Sequence, residues 1–209
     1  MATDTEPDTQ PEPLAVTGRE PADDLLRRDP LALLIGMLLD QQIPMEWAFV
    51  GPWRLAERLP RMAGTEFDAE AIATLEPEIL EGVFREKPAL HRYPAAMARR
   101  TQDLCRHLVD HYGGEASRIW TDAEDGASLY RNLRDLPGFG DEKSRIFIAL
   151  LGKRFAITPP GWREAAGVFA DEKKRSVADI DSPEALDEVR AHKKLLKAQG
   201  RDKQGRRTT

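Results

Sequence analysis

Nine consecutive positions, Leu31 to Leu39, are apolar or glycine, and Asp29-Pro30 stands immediately ahead of them. An aspartate N-cap followed by proline at the first helical position predicts a helix over Leu31–Gln42. It is apolar on nearly every side and therefore buried. Pro44 limits it, and Trp47–Leu59 is the next helix. Asp68–Leu75 and Glu76–Phe84 are shorter helices around Pro77. Pro94 opens a long amphipathic helix to Tyr112, in which Met97, Leu104, Leu108 and Tyr112 keep helical spacing. Gly113-Gly114 closes it with the residue favoured beyond helix C-termini. Further helices are expected at Asp125–Leu136, Lys143–Leu151, Trp162–Phe169 (after Pro159-Pro160-Gly161) and Ser182–Leu196. No alternating strand pattern persists and no repeat is present, so the class is all-α.

Composition narrows the setting. The 209 residues suffice for one domain or two small subdomains. A single cysteine, Cys105, excludes a disulfide framework and a four-cysteine zinc or iron–sulfur site. No apolar run reaches the eighteen residues a membrane span needs, and the N-terminus is acidic and Pro-rich, unlike a signal peptide. A cytoplasmic chain with no membrane partner is the expectation.

The net charge of −5 argues at first against a nucleic-acid partner, but it is unevenly placed. Residues 1–26 hold seven acids against Arg19, and residues 190–209 hold eight bases against Asp202. The first segment is expected to be a disordered acidic tail, and residues 199–209 a flexible basic one that either binds phosphates or only solubilises the end.

Leu136-Pro137-Gly138-Phe139-Gly140 lies between two predicted helices. Two glycines at this spacing permit a tight turn with positive φ and a close backbone approach to another molecule. The amides that follow begin a helix, where N–H groups and the dipole favour a phosphate. Such a hairpin holds DNA by its backbone without reading bases. Asp141 and Glu142 suit a helix start but oppose a phosphate there. A purely structural helix–turn–helix corner is the alternative.

With this hairpin the chain resembles the helix-hairpin-helix DNA glycosylases, the superfamily of endonuclease III and the mismatch adenine glycosylase. Leu38-Leu39-Asp40-Gln41-Gln42 resembles the start of their DNA-facing loop. Thr101–Gly114 resembles the helix that precedes the hairpin, and Leu150–Ile157 the stretch leading to their catalytic aspartate. The match runs in order over about residues 29–165, and is greatest with a small bacterial group lacking the cluster. The resemblance implies two helical subdomains with a DNA-binding cleft between them, here about 45–145, and 27–44 with 146–198. The partner it implies is double-stranded DNA with a damaged or mismatched base, met by a monomer at the nucleoid. It also implies that Gln41, with Gln42 beside it, fills the gap left by a flipped nucleotide. Pro137, Gly138, Phe139, Gly140 and Lys143 would contact the DNA.

The usual catalytic groups are missing. The family's aspartate falls at Pro159 or Pro160, the lysine nucleophile at Glu142 with Lys143 one residue away, and the adenine-glycosylase glutamate at Met37. Glycosidic cleavage needs a carboxylate near the sugar or an acid for the leaving base. Asp40, next to Gln41, is the first candidate, with Glu46 and Asp171 behind it. Trp47 and Trp162 are expected to pack in the core rather than stack on a base. His107 and His111 stand four apart but lack the glutamate and third ligand of a zinc site, so no metal or cofactor is expected. Lys87–Pro94 mixes bases with Tyr93 and is either a phosphate-contacting loop or an ordinary connection. Three functions follow: an N-glycosylase without lyase activity, a non-catalytic binder of damaged DNA, or a helical protein-interaction module.

Overall fold

A computed structural model of the chain describes residues 14–200 together with 204 and 205, and every regular element among them is helical. The order is α1 (Glu20–Arg28), α2 (Pro30–Leu39), α3 (Met45–Ala63), α4 (Ala69–Thr74), α5 (Pro77–Arg85) and α6 (Pro94–Tyr112). It continues with α7 (Arg118–Thr121), α8 (Gly126–Asp135), α9 (Asp141–Arg154) and α10 (Trp162–Ala166). Two 3-10 turns, Gly167–Ala170 and Val177–Asp179, precede α11 (Pro183–Ala198). No helix among the described residues is long and apolar enough to cross a membrane.

The Asp29 side chain accepts from the Leu31 and Ala32 amides, so α2 starts where its cap predicts. All of Leu31–Leu39 is buried. α2 packs chiefly against α3: Gly36 faces the Phe49 ring, and Gly51 admits Leu39 so closely that a Cβ would lie 2.5 Å from Leu39 Cδ1. The helix ends three residues before the expected Gln42, because Asp40 leaves helical geometry and Gln42 has φ 58°. α4 and α5 pack on α6, while α8, α10 and the second 3-10 turn pack on α9. One continuous apolar core joins both groups.

Order begins earlier than the acidic composition of residues 1–26 suggests. Leu14 and Val16 are buried, and α1 occupies Glu20–Arg28 with Ala22, Leu25 and Leu26 turned inward. Asp23, itself buried, accepts the Val16 and Thr17 amides on Oδ1 and so anchors the incoming strand of chain. Residues 1–13 of the expected tail, and 201–203 and 206–209 of the basic one, lie outside the described residues.

A buried arginine organises the connection between α5 and α6. Arg58 on α3 donates to the carbonyls of Val83, Glu86 and Pro88 and pairs with the Glu86 carboxylate at 2.9 Å. Trp47 Nε1 donates to Ala89 O at 3.0 Å from the same helix. Residues 86–93 are thereby held against α3, beside the loop that follows α2.

Candidate nucleic-acid interface

The turn after α8 brings Leu136, Pro137, Gly138, Phe139 and Gly140 to the N-terminus of α9. Phe139 is buried, in edge contact with Phe147, whereas Gly138 and Gly140 are exposed. Gly138 has φ +84°, and a Cβ there would lie 2.5 Å from Leu38 Cδ1. Both the turn and the close approach to Leu38 therefore require glycine. Phe139 N–H closes the turn on Leu136 O. Among the described residues, the amides of Gly138, Gly140 and Asp141 have no protein acceptor. Three donors without a protein acceptor thus stand at a helix N-terminus, which is where an anion is favoured.

The objection raised by Asp141 is met by its surroundings. Its Oδ1 accepts from Tyr130 OH and from Arg145 Nε, each at 2.7 Å, and Arg145 also lies over the Tyr130 ring. The Tyr130 hydrogen bond above all, with Arg145 assisting, holds the carboxyl below the usual aspartate range. Its charge is compensated by Tyr130 of α8 and by Arg145 one turn further along α9.

Leu38 joins the hairpin to residues 40–44. Besides its contact with Gly138, its carbonyl accepts from Lys143 Nζ at 2.9 Å and from Gln41 Nε2 at 2.7 Å. Lys143 therefore points to the end of α2 and across the Phe139 ring. The half-buried Gln41 amide is engaged at both ends, since Arg100 Nη1 donates to its Oε1 at 2.7 Å. His91, 1% exposed, is bonded at both ring nitrogens: Tyr93 N–H donates to Nδ1, which leaves the proton on Nε2 to be donated to Gln41 O at 2.9 Å. Burial pushes its pKa below the ordinary value. At the tip of this braced loop Gln42 is exposed, in left-handed geometry that costs a non-glycine residue about 1–3 kcal/mol.

Of the acids considered from sequence, Glu46 is engaged by Arg190 and Asp171 by Arg175. The Asp40 carboxylate, half-buried at the end of α2, is held by no hydrogen bond or ion pair among the described residues. Pro160 lines a pocket together with Tyr130 and Arg145, the two side chains that hold Asp141. Pro160 O accepts from Gly126 N at the start of α8, and the adjoining Trp162 packs on Gly152. Gly152 is twelve residues along α9 from Gly140, or about 18 Å. Trp47 is tied to Ala89 O through its indole N–H, and Trp162, partly buried against the core, also lines a cavity with Lys153 and Arg163.

His107 and His111 are 4.4 Å apart between ring centroids, and no group of three His, Cys, Asp or Glu side chains among the described residues could hold a metal. Burial raises the Cys105 thiol pKa far above its usual value, so it is inert. A polar cavity of about 490 Å³ at the C-terminal end of α9 is lined by Lys153, Arg154, Lys174 and Asp179. Its cations are taken up internally, Lys153 by Asp179, and Arg154 and Lys174 by Asp181. Those pairs tie residues 171–181 to α9.

The hairpin and the glutamines were readable in sequence, but His91 and Arg100 were not singled out. Only the mixed basic and aromatic character of Lys87–Pro94 marked that neighbourhood. Arg92 and Tyr93 are exposed there, the guanidinium 5.4 Å from the ring centroid. The face thus combines outward amides, an amide side chain at a strained tip, and the exposed bases Arg92, Arg99 and Arg100.

No protein-family model and no curated protein matches the chain. Among solved structures, it is similar to the 3-methyladenine DNA glycosylase MagIII of H. pylori bound to 1,N6-ethenoadenine. That similarity covers 82% of this chain and 92% of the other, at 16% identity and a TM-score of 0.46.

Proposed function

We propose that the chain is a DNA base-excision repair protein, a monomeric N-glycosylase without lyase activity that acts on duplex DNA carrying a damaged or mismatched base. The observation that carries this reading is the junction at Leu38: a hairpin with three acceptor-free amides is locked to a loop whose tip exposes Gln42. A phosphate grip and a wedge side by side are what an enzyme needs to lift one nucleotide from the stack. The ordered sequence resemblance over residues 29–165 supports the same reading.

In this reading the amides of Gly138, Gly140 and Asp141 hold a backbone phosphate, and Lys143 contributes positive charge beside them. Gln42 enters the stack and offers a donor and an acceptor to the orphaned base, with Gln41 bracing it from within. Asp40 is the carboxylate at the mouth of the site, available to stabilise the positive charge that develops on the sugar. The reading is tested by incubating the purified protein with duplexes carrying uracil, hypoxanthine, alkylated or oxidised bases and measuring base release. Binding without release from any of them overturns the enzymatic assignment. Asp40→Asn is expected to lower turnover at least a hundredfold while leaving duplex affinity within about twofold.

The placement of Pro159 and Pro160 favours a second reading, a non-catalytic sensor of damaged DNA. No carboxylate stands at those positions. Lesion-selective binding with no base release is the outcome that selects it.

A further inference from the structure

The last helix carries its charges in two blocks. Glu184, Asp187 and Glu188 fall in the first half of α11, and Arg190, Lys193, Lys194 and Lys197 in the second. Such an order suits the helix dipole, but the tertiary placement of the basic half goes beyond that. Arg190 pairs with Glu46, and Lys193 Nζ lies 3.7 Å from Met45 Sδ. Both partners stand in the first turn of α3, directly after the loop that carries Gln41 and Gln42. Past the helix, Gln204 Nε2 reaches Asp141 Oδ2 at 3.5 Å, at the hairpin itself. α11 therefore meets the element that follows the wedge loop, and Gln204 meets the start of α9 at the hairpin.

Arg190, Lys194 and Lys197 follow one another at spacings of four and three, so they form one stripe along the helix. The ion pair of Arg190 with Glu46 aims that stripe at the loop side of the molecule. Lys194 and Lys197 are exposed, and no hydrogen bond or ion pair among the described residues occupies either ammonium group. In sequence they are followed by Arg201, Lys203, Arg206 and Arg207. In a protein of net charge −5, Lys194 and Lys197 put two cations beside the proposed DNA site.

We propose that the basic half of α11 is a third phosphate-binding element of the DNA interface, in which Lys194 and Lys197 contact the strand backbone flanking the nucleotide held at the hairpin. The inference rests on the DNA-binding reading above, deepens it, and gives the basic end a defined role. Its contacts are to phosphates, so they add affinity and salt dependence without adding lesion selectivity.

The test is the slope of log K against log salt concentration for a duplex of random sequence. It is measured for the full chain, for the double variant Lys194→Gln/Lys197→Gln, and for Lys173→Gln, an exposed lysine in the segment that packs at the other end of α9. Each lost phosphate contact lowers the slope by about 0.9. The double variant is expected to lose about 1.8 from the slope and about tenfold or more in affinity at low salt, with the ratio of damaged to undamaged binding unchanged. Lys173→Gln is expected to leave the slope as it is. An unchanged slope in the double variant overturns the proposal while the DNA-binding reading stands. An equal loss in Lys173→Gln also overturns it, since net charge and not position would then be responsible. If the full chain binds no duplex, the DNA-binding reading and this element fall together.

Discussion

His91 Nε2 lies 2.9 Å from the carbonyl oxygen of Gln41, a residue fifty positions earlier in the chain. This bond and the one from Tyr93 N–H to Nδ1 require the neutral imidazole. Protonation would place a second donor opposite the Tyr93 amide and detach residues 86–93 from the wedge loop. Because burial lowers the folded-state pKa, the unfolded chain takes up the proton first. The stability due to His91 is therefore complete above the unfolded histidine value of about 6.5 and is lost as pH falls below it toward the folded value. Urea denaturation between pH 7.5 and 5.5 should show the advantage of the native protein over His91→Gln shrinking with acidity. A constant difference across that range would contradict this account.

Gly138 meets Leu38 at a point where there is no room for a Cβ, in backbone geometry that favours glycine. Gly138→Ala should cost about 1–3 kcal/mol of stability and weaken duplex binding several-fold. Adding Leu38→Ala should relieve the collision but not the strain of positive φ. Binding by the double variant should therefore recover only in part, as read by titration against a labelled duplex.

Gln42 separates stability from function. Its φ of 58° is unstrained for glycine, so Gln42→Gly should raise the urea midpoint or leave it unchanged. The same substitution removes the amide proposed to replace the flipped nucleotide, and base release should fall at least tenfold. A variant that is no less stable and fully active would take the wedge role away from this residue.

Arg58 is the structural counterpart of these site residues. Its guanidinium satisfies three carbonyls at the end of α5 and in the connection beyond it. Arg58→Met would leave acceptors without donors, at a cost of about 3 kcal/mol. Arg58→Lys should recover less than half of that, because an ammonium cannot reproduce the planar fork. Equilibrium urea unfolding measures both.

The helices were legible wherever local rules act alone. The Asp29-Pro30 cap marked the start of α2, and the Pro94 and Gly113 boundaries delimited α6 to the residue. α1 was hidden, because its acidic composition outweighs a short apolar face that becomes visible only once Asp23 binds the Val16 and Thr17 amides. At the site, Gly138 and the two glutamines stood out by motif, but which glutamine faces solvent depends on Arg100, fifty-nine positions away. A contact across that separation leaves no periodic trace. The same holds for His91, and for Glu46, whose engagement by Arg190 removes an acid that spacing alone would keep.

The contact of Gly138 with Leu38 has one further consequence. With the Lys143 bond to Leu38 O, it ties the hairpin to the end of α2 that leads into the glutamine loop. Under the proposed DNA-binding function, the offset between a phosphate at the hairpin and a side chain entering the stack would then be set by the protein. The position probed would be counted from the backbone like a gauge of fixed span, whatever base occupies it.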